Sequence, residues 1–514
     1  MGASGDRGPR PSTVRHREPG QGWTTDLPAG WRSVAGGPAL VRGNPWRDPA
    51  RLYVQGHPGL GPDAALAAFL TARGMAVTAA GPVVEAGALR WTRHRGRTGD
   101  AAALPVELAV AGDGAGAVVA ALVAREAELE DLVRSALLPA LDGFAPGPPD
   151  PPRSVLATAP PEPDRWPTAG WPAATPESQG IDGRLLDAML AEIARVGLPI
   201  DAVVVARHGR VVLDATLGPF AEGALGAPYA MGRLHELQSV TKSVTSMVLG
   251  IALRDQPAGG VTVDTPALDV LDPRHVPPSR DDRMRAMTLR DLLTMRSGLA
   301  WAESGRDYVR GTGNDVLAMI ETDDWTRFVL DRPMATEPGT RFNYDTGAAH
   351  LVSAAISALD GRAAEDLAAE ALFAPLGITD WHWKRAPEGV SVGGFGLLLR
   401  PRDLAKLAFL ALHRGRWEGR QVVPAEWLEA STTDLVGRPP HQYGLLWWLD
   451  RADGYAHMAG LYGQLAAIDP ARDLVVVINA HIPGDLDSSA MTRWLLEEYV
   501  LPAAGGPGGA RPPR

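Results

Sequence analysis

The C-terminal two-thirds of this chain is predicted to adopt an α/β (α+β) fold: an antiparallel sheet flanked by helices, with a helical region packed on it. Three observations predict this. The apolar runs Ala202–Ala206 and Val211–Asp214 flank a turn containing Gly209, which is a hairpin signal. A second pair, Leu465–Ile468 and Leu474–Ile478, flanks Asp469–Asp473 near the far end. Between the two hairpins lie mainly helical periodicities and loops, so the first and last segments are expected to close one sheet.

In chain order, residues 1–20 are polar, rich in Gly and Pro and without periodicity, and are expected to be disordered. Residues 21–144 read as a small, separate α+β domain. Ala39–Val41, Arg51–Val54, Val106–Val110 and Gly116–Val123 are its strand-like runs. Ala64–Ala72 reads as a helix, with Leu66, Phe69 and Leu70 on one side. Glu126–Leu141 reads as a second helix, since Leu129, Leu132, Val133, Leu137 and Leu138 recur at helical spacing. This domain carries no catalytic signature. Residues 145–176 hold proline at a density incompatible with helices or central strands, and are expected to be a semi-rigid linker. The α/β unit spans 177–502, and 503–514 read as a flexible tail.

Composition narrows the function. A net charge of −10 argues against a nucleic-acid-binding surface. The absence of cysteine removes disulfides, thiolate nucleophiles and Cys-ligated metals. Metal-ligand spacing, a Gly-rich phosphate loop and nucleotide motifs are all missing, so no metal or cofactor is expected. The basic N-terminus lacks a following apolar stretch, and no apolar run reaches membrane-spanning length, so a cytoplasmic protein without membrane contact is expected. The chain has three lysines, Lys242, Lys384 and Lys406, and takes nearly all its positive charge from arginine. Arginine cannot lose its proton in a protein and lysine can, so each lysine raises the question of a base. For Lys384 and Lys406 chance is a sufficient answer.

Lys242 sits in the central signal. Val240, Val244, Met247, Val248 and Ile251 make one apolar face of a buried helix. Ser239 lies at its first turn, where backbone N–H groups favour developing negative charge. Lys242, three residues on, shares its face. Burial drives a lysine toward the neutral amine, which can take the serine proton and activate the nucleophile. The plain alternative is an exposed helix start with a surface lysine; the long apolar face and the scarcity of lysine argue against it.

The stretch Glu236–Ser246 resembles the nucleophile motif of the serine β-lactamase-like (SxxK) hydrolases. These include class C β-lactamases, penicillin-binding DD-peptidases, family VIII esterases and 6-aminohexanoate-dimer hydrolases. Four further blocks resemble that superfamily in order and spacing: Met287–Leu299, Glu337–Gly347, Gly394–Lys406, and Gly460–Gln464 followed by a hairpin. The resemblance spans about Glu177 to Pro502 and implies a β-lactamase/transpeptidase-like fold, closest to the class C, family VIII and aminohexanoate-dimer branch.

The resemblance also implies roles. Tyr344 would be the second acid/base, with its pKa lowered by the neighbouring cation. The oxyanion hole would be the backbone N–H groups of Ser239 and Leu461, with Gly460 allowing close approach. Thr346 stands where many members have Asn, and would contact substrate differently. Gln464 would line the site or lie on the surface. Where β-lactamases and DD-peptidases carry a cation two residues before the strand glycine, this chain has Met458. His457 is one residue out of register, and enters the cleft only through a bulge. Trp447 and Trp448 read as core packing with one able to line the cleft, Trp301 as a residue of the cleft mouth, and His441 as a loop histidine. The expected activity is acyl transfer on small, uncharged esters or amides. The alternatives are a penicillin-recognising enzyme, or a catalytically dead hydrolase fold used for binding.

Overall fold

A computed structural model describes residues 13–17, 23–28, 31–33, 39–42, 49–99, 102–114, 116–147, 151–217, 234–257, 260–277, 281–304, 308–309, 311–436, 442–451, 453–482 and 488–505. The chain divides into two compact units, Met1–Pro151 with Gly437–Gln442, and Pro152–Val436 with Tyr443–Arg514.

The first unit is built on a seven-stranded antiparallel sheet. Its strand order is Trp31–Ser33, Ala39–Arg42, Arg51–Pro58, Gly116–Val123, Pro105–Gly112, Leu89–Thr98, Met75–Ala86. Gly116–Val123 and Pro105–Gly112 are apolar and buried almost throughout because both faces of the sheet are covered. The helix Pro62–Arg73 seats Ala65, Leu66 and Phe69 against Val106, Leu108 and Val119. On the other face the consecutive helical segments Glu126–Leu132, Val133–Leu137 and Leu138–Asp142 pack Leu132, Leu137 and Leu141 against Ala109, Val118 and Ala120. The strands Met75–Ala86 and Leu89–Thr98 were not foreseen. Their faces are largely exposed, and the second is rich in arginine, so neither shows the apolar alternation that marks a half-buried strand. Part of the stretch expected to be disordered is also ordered: Thr13–Arg17 pairs with Thr24–Pro28, and Arg15 bonds Asp26, Thr24 and the Gly143 carbonyl. The rest of 1–20 lies outside the described residues.

In the second unit, six strands form one antiparallel sheet: β1 (Ile200–Arg207), β2 (Arg210–Thr216), β3 (Trp448–Asp450), β4 (Tyr455–Gly460), β5 (Gln464–Asp469) and β6 (Leu474–Ala480). Their spatial order, β2-β1-β6-β5-β4-β3, joins the first hairpin to the last, as the sequence pattern predicts. Of the helices α1 (Gly183–Val196), α2 (Val240–Arg254), α3 (Thr346–Asp360), α4 (Pro401–Leu412) and α5 (Ser488–Leu495), α2, α4 and α5 pack on this sheet, while α3 packs on α2 and α1 on Leu496–Ala503. Alternate strand residues Val204, Ala206, Met458, Ala466, Ile468, Val475 and Val477 share one core with α2, α3 and α4. The terminal helix α5 packs on β5. Helix α2 is buried from Val240 to Ala252 on every side, so the apolar face read from sequence is only part of its buried surface.

Residues 152–176 correct the expectation of a linker, because they are packed on this second unit. Leu156 is fully buried in its core, and Val155 donates its N–H to the Thr432 carbonyl. Trp166 stacks among Phe409, His413 and Trp417, and Trp171 donates to the Arg402 carbonyl. Proline excludes these residues from helix and central strand without preventing an extended segment from burying tryptophans. The tail likewise begins later than predicted: Ala503 and Ala504 are buried, and Arg207 and Arg472 bond the carbonyls of Ala504 and Gly505. Residues 506–514 and His441 lie outside the described residues. Among the described residues, no helix is long and apolar enough to cross a membrane.

Candidate active site

The short strand His235–Glu236 pairs with Leu397–Leu399 and delivers the chain to α2. Gln238 adopts φ +50°, a left-handed conformation that costs a non-glycine residue roughly 1–2 kcal/mol. That turn places Ser239 at the N-cap of α2, at the positive end of a long buried helix. Ser239 shares a cleft with Gln238, Tyr308, Val316, Thr346, Phe395, Leu461 and Tyr462.

Lys242 is buried, as its place on α2 requires. Its Nζ lies 2.9 Å from Ser239 Oγ, 2.9 Å from Thr346 Oγ1 and 2.9 Å from the Gly394 carbonyl. Burial lowers its pKa to about 8, against the opposing pull of the Glu303 and Asp345 carboxylates. A lysine near 8 offers a useful fraction of neutral amine at physiological pH, which an ordinary lysine does not. Gly394 is required here because a Cβ would stand 2.6 Å from Thr346 Cγ2.

Tyr344 is half-buried beside Trp448, with ring centroids 5.7 Å apart and planes 25° apart. The Lys242 ammonium lies over its ring, 4.8 Å from the centroid. The expected lowering of its pKa is not found. Burial first, and then the charge of Glu303, push the phenol above its ordinary value, and a hydrogen bond with Ser239 offsets only part of this. The Tyr344 phenol is therefore held in its protonated form at neutral pH.

Glu303 is the residue that sequence reasoning missed. It is 3% exposed, and among the described residues its carboxylate accepts four hydrogen bonds. Trp301 Nε1 and the Thr346 N–H donate to Oε2, each at 2.8 Å, while Tyr308 and the Thr346 hydroxyl donate to Oε1, each at 2.7 Å. The signal was present two residues after Trp301, but an isolated acidic residue in a loop looks like solvated surface. Trp301, predicted at the cleft mouth, is instead buried against Gly347 and holds Glu303. Asp345, between Tyr344 and Thr346, caps α3 through the Ala348 N–H and accepts from Ser297. Burial, reinforced by Glu303, raises its pKa to about 7.

β4 brings Leu461 to the same cleft. At Gly460 a Cβ would stand 2.5 Å from the Leu237 carbonyl oxygen, so only glycine lets β4 pass this close to the turn before α2. The β4–β5 register runs without a shift from Ala456↔Ile468 to Gly460↔Gln464. Two residues whose place in the cleft the sequence left open, His457 and Gln464, are not among its described lining residues. His457 is buried on the far face, its ring 5.5 Å from Tyr455, which itself donates to Glu497 at the C-terminal helices. Burial and Arg493 hold its imidazole well below the ordinary pKa. Gln464 is consumed inside the protein: its amide donates to the Ala480 and Leu461 carbonyls and accepts from Asn479. Met458 faces the shared core with α2. Trp447 is fully buried, as expected of core packing. Ser239, Lys242, Tyr344, Thr346, Gly460 and Leu461 are thus brought together; His457 and Gln464 are not.

Lys384 and Lys406 have structural partners, Glu236 for the first and the Thr168 and Gly377 carbonyls for the second. Asp450, Asp453 and Glu497 bring ligand atoms within 4.8 Å of one another, a grouping that sequence spacing did not suggest. Burial raises the Glu497 pKa to about 8.

The family profile described as Beta-lactamase matches residues 184–500, more than half of the chain. No curated protein matches it. Among solved structures, a protein from Bacillus anthracis assigned as a 6-aminohexanoate-dimer hydrolase is 16% identical with a TM-score of 0.50, over 69% of this chain and 90% of that one. A family VIII carboxylesterase is 16% identical with a TM-score of 0.49, over 64% and 98%. A penicillin-binding protein from Bacillus halodurans is 18% identical with a TM-score of 0.46, over 60% and 99%. At 16% identity the likeness to the Bacillus anthracis protein is one of fold.

Proposed function

We propose that this chain, which belongs to the Beta-lactamase family through residues 184–500, hydrolyses small uncharged esters or amides through an acyl-enzyme on Ser239. A β-lactamase/transpeptidase fold and a hydrolase of that family are the premises; the residues and the substrate class are our reading. The observation that carries it is Lys242, buried, 2.9 Å from Ser239 Oγ and with its pKa lowered to about 8.

Ser239 Oγ attacks the acyl carbonyl as Lys242 takes its proton. The oxyanion is held by the N–H groups of Ser239 and Leu461. As the tetrahedral intermediate collapses, the bond to the leaving group breaks and Tyr344 supplies it with a proton. The proton held by Lys242 restores Tyr344, because a phenolate is disfavoured where burial and Glu303 raise its pKa. Water then attacks the acyl-enzyme, with the same groups removing its proton and returning one to Ser239.

The charge of the cleft supports the substrate class. Its described lining residues, Gln238, Ser239, Tyr308, Val316, Thr346, Phe395, Leu461 and Tyr462, include no cation, and the Lys242 Nζ beside Ser239 is already bonded to Ser239, Thr346 and the Gly394 carbonyl. A carboxylate entering here loses solvation without gaining a partner, whereas a neutral acyl group does not. The same feature disfavours the penicillin-recognising reading, and the assembled Ser239, Lys242 and Tyr344 disfavour a dead fold.

A matched pair of substrates, one ending in a carboxylate and one in its methyl ester, tests the proposal. The methyl ester is expected to be turned over faster, and Ser239→Ala to abolish turnover of both. Preference for the free carboxylate would refute the substrate class; turnover by Ser239→Ala would refute the mechanism.

A further inference from the structure

This inference rests on the proposed roles of Ser239 as nucleophile and Lys242 as base. A neutral lysine amine carries two N–H bonds and one lone pair, and it serves as a base only if the lone pair faces the serine. Three polar atoms surround Nζ at 2.9 Å: Ser239 Oγ, Thr346 Oγ1 and the Gly394 carbonyl. The carbonyl only accepts, so it takes one N–H. The direction of the Thr346 hydroxyl decides the rest. If Thr346 donated to Nζ it would occupy the lone pair, and the remaining N–H would point at Ser239, which is the wrong polarity for proton abstraction.

We propose that Glu303 is a positioning residue that fixes the direction of the Thr346 hydroxyl and so aims the lone pair of neutral Lys242 at Ser239. A carboxylate can only accept, and a threonine has one hydroxyl proton. Glu303 Oε1 takes that proton at 2.7 Å. Thr346 Oγ1 is then left with lone pairs toward Lys242 and accepts its second N–H. Both N–H bonds are used and the lone pair remains for Ser239. Glu303 is held for this task by three other donors: Trp301 Nε1, the Tyr308 hydroxyl and the Thr346 N–H. A Glu303→Gln side chain can satisfy these donors only in part. Trp301 Nε1 and the Thr346 N–H only donate, so the amide oxygen would face them and the NH2 would face the Tyr308 and Thr346 hydroxyls; Thr346 Oγ1 then accepts from that NH2 and its own proton turns toward Lys242.

The charge has a second effect, of opposite sign for activity. The groups facing Lys242 are the Glu303 and Asp345 carboxylates and the Tyr344 ring, with Tyr308 bound to Glu303. Both carboxylates favour the ammonium, so removing one lowers the lysine pKa and moves the acid limb of activity to lower pH. Asp345, relieved of Glu303, ionises more fully and recovers part of this. A net shift of about 1 pH unit is expected, the low end for a lost opposite charge. Disruption that merely loosens the site would lower the rate without this directed shift.

The test is the pH dependence of the rate at which a fluorophosphonate labels the full-length chain. The wild type should show an acid limb near pH 8. In Glu303→Gln the limb should move down by about 1 unit while the plateau rate falls roughly ten-fold or more. Glu303→Asp, which keeps the charge, should keep the wild-type limb. A Glu303→Gln variant with the limb and plateau of the wild type would overturn the inference. Should Glu303→Gln not fold, Thr346 answers instead: Thr346→Val is expected to lose at least ten-fold in plateau rate, and Thr346→Ser to stay within about three-fold. Equal rates in Thr346→Val and wild type would overturn the inference. A wild type that is not labelled, or Ser239→Ala labelled as fast as wild type, would refute the parent reading and this inference with it.

Discussion

Replacing Gly460 by alanine tests the geometry of the proposed oxyanion hole more sharply than removing a side chain does. The new Cβ would lie 2.5 Å from the Leu237 carbonyl oxygen, 3.0 Å from Gln238 Cβ and 3.1 Å from Gln464 Cβ. The nearest of these atoms is backbone and has no rotamer to escape into. To restore ordinary contact, β4 and the nucleophile turn must separate by roughly 1 Å, a displacement large enough to cost about 10²-fold in a positioned site. Those two segments carry the two proposed oxyanion donors, Leu461 N–H and Ser239 N–H, so the separation widens the hole directly. Loss of a whole donor costs about 10²–10³ in kcat, so a partial loss of 10- to 100-fold is expected. Overpacking should also cost about 1–3 kcal/mol of stability. The assay is kcat for p-nitrophenyl acetate beside the denaturation midpoint. Gly61→Ala is the control, at a position where a Cβ meets nothing within 4 Å. Gly460→Ala within about three-fold of wild-type kcat would show that the hole does not lie between these segments.

Other outcomes follow from the same contacts. Because Lys242 must be neutral to act and its pKa is about 8, kcat/KM should fall as pH drops through 8, about ten-fold per unit below it; a flat profile between pH 6 and 9 would contradict its role as base. Lys242→Arg keeps the charge but cannot release a proton, and should lose about 10²–10⁴-fold, nearly as much as Lys242→Ala; retention within a few-fold would make Lys242 only a cation. Leu156→Ala should cost about 2–5 kcal/mol, since Leu156 is fully buried although its sequence context reads as linker. An unchanged midpoint in urea would contradict that packing.

Legibility in the sequence followed the length scale of each interaction. The two hairpins and α2 were readable because their periodicities of two and 3.6 are local, and Ser239 and Lys242 stood out because they share one helix. Tyr344, Gly460 and Leu461 needed the resemblance, since nothing local ties them to Ser239. Glu303 was invisible: the role proposed for it depends on Thr346, distant in sequence, and a lone glutamate carries no periodicity. The shift of Tyr344 was misjudged in sign, because the cation was counted and the loss of water and the Glu303 charge were not. His457 was an open choice that the unbroken β4 register decided against the cleft. Gln464 was lost because a buried amide is claimed by whichever backbone carbonyls its hairpin presents, here those of Ala480 and Leu461. The segment 152–176 misled because proline density excludes regular structure and says nothing about burial.

The central claim is that Ser239 is a nucleophile activated by Lys242, and the most direct measurement is the site of covalent modification. The full-length protein, incubated with a fluorophosphonate and digested, should carry one adduct on the peptide containing Ser239, with none in Ser239→Ala and a strongly reduced rate in Lys242→Arg. An adduct on another residue, or equal labelling of the three proteins, would contradict the account.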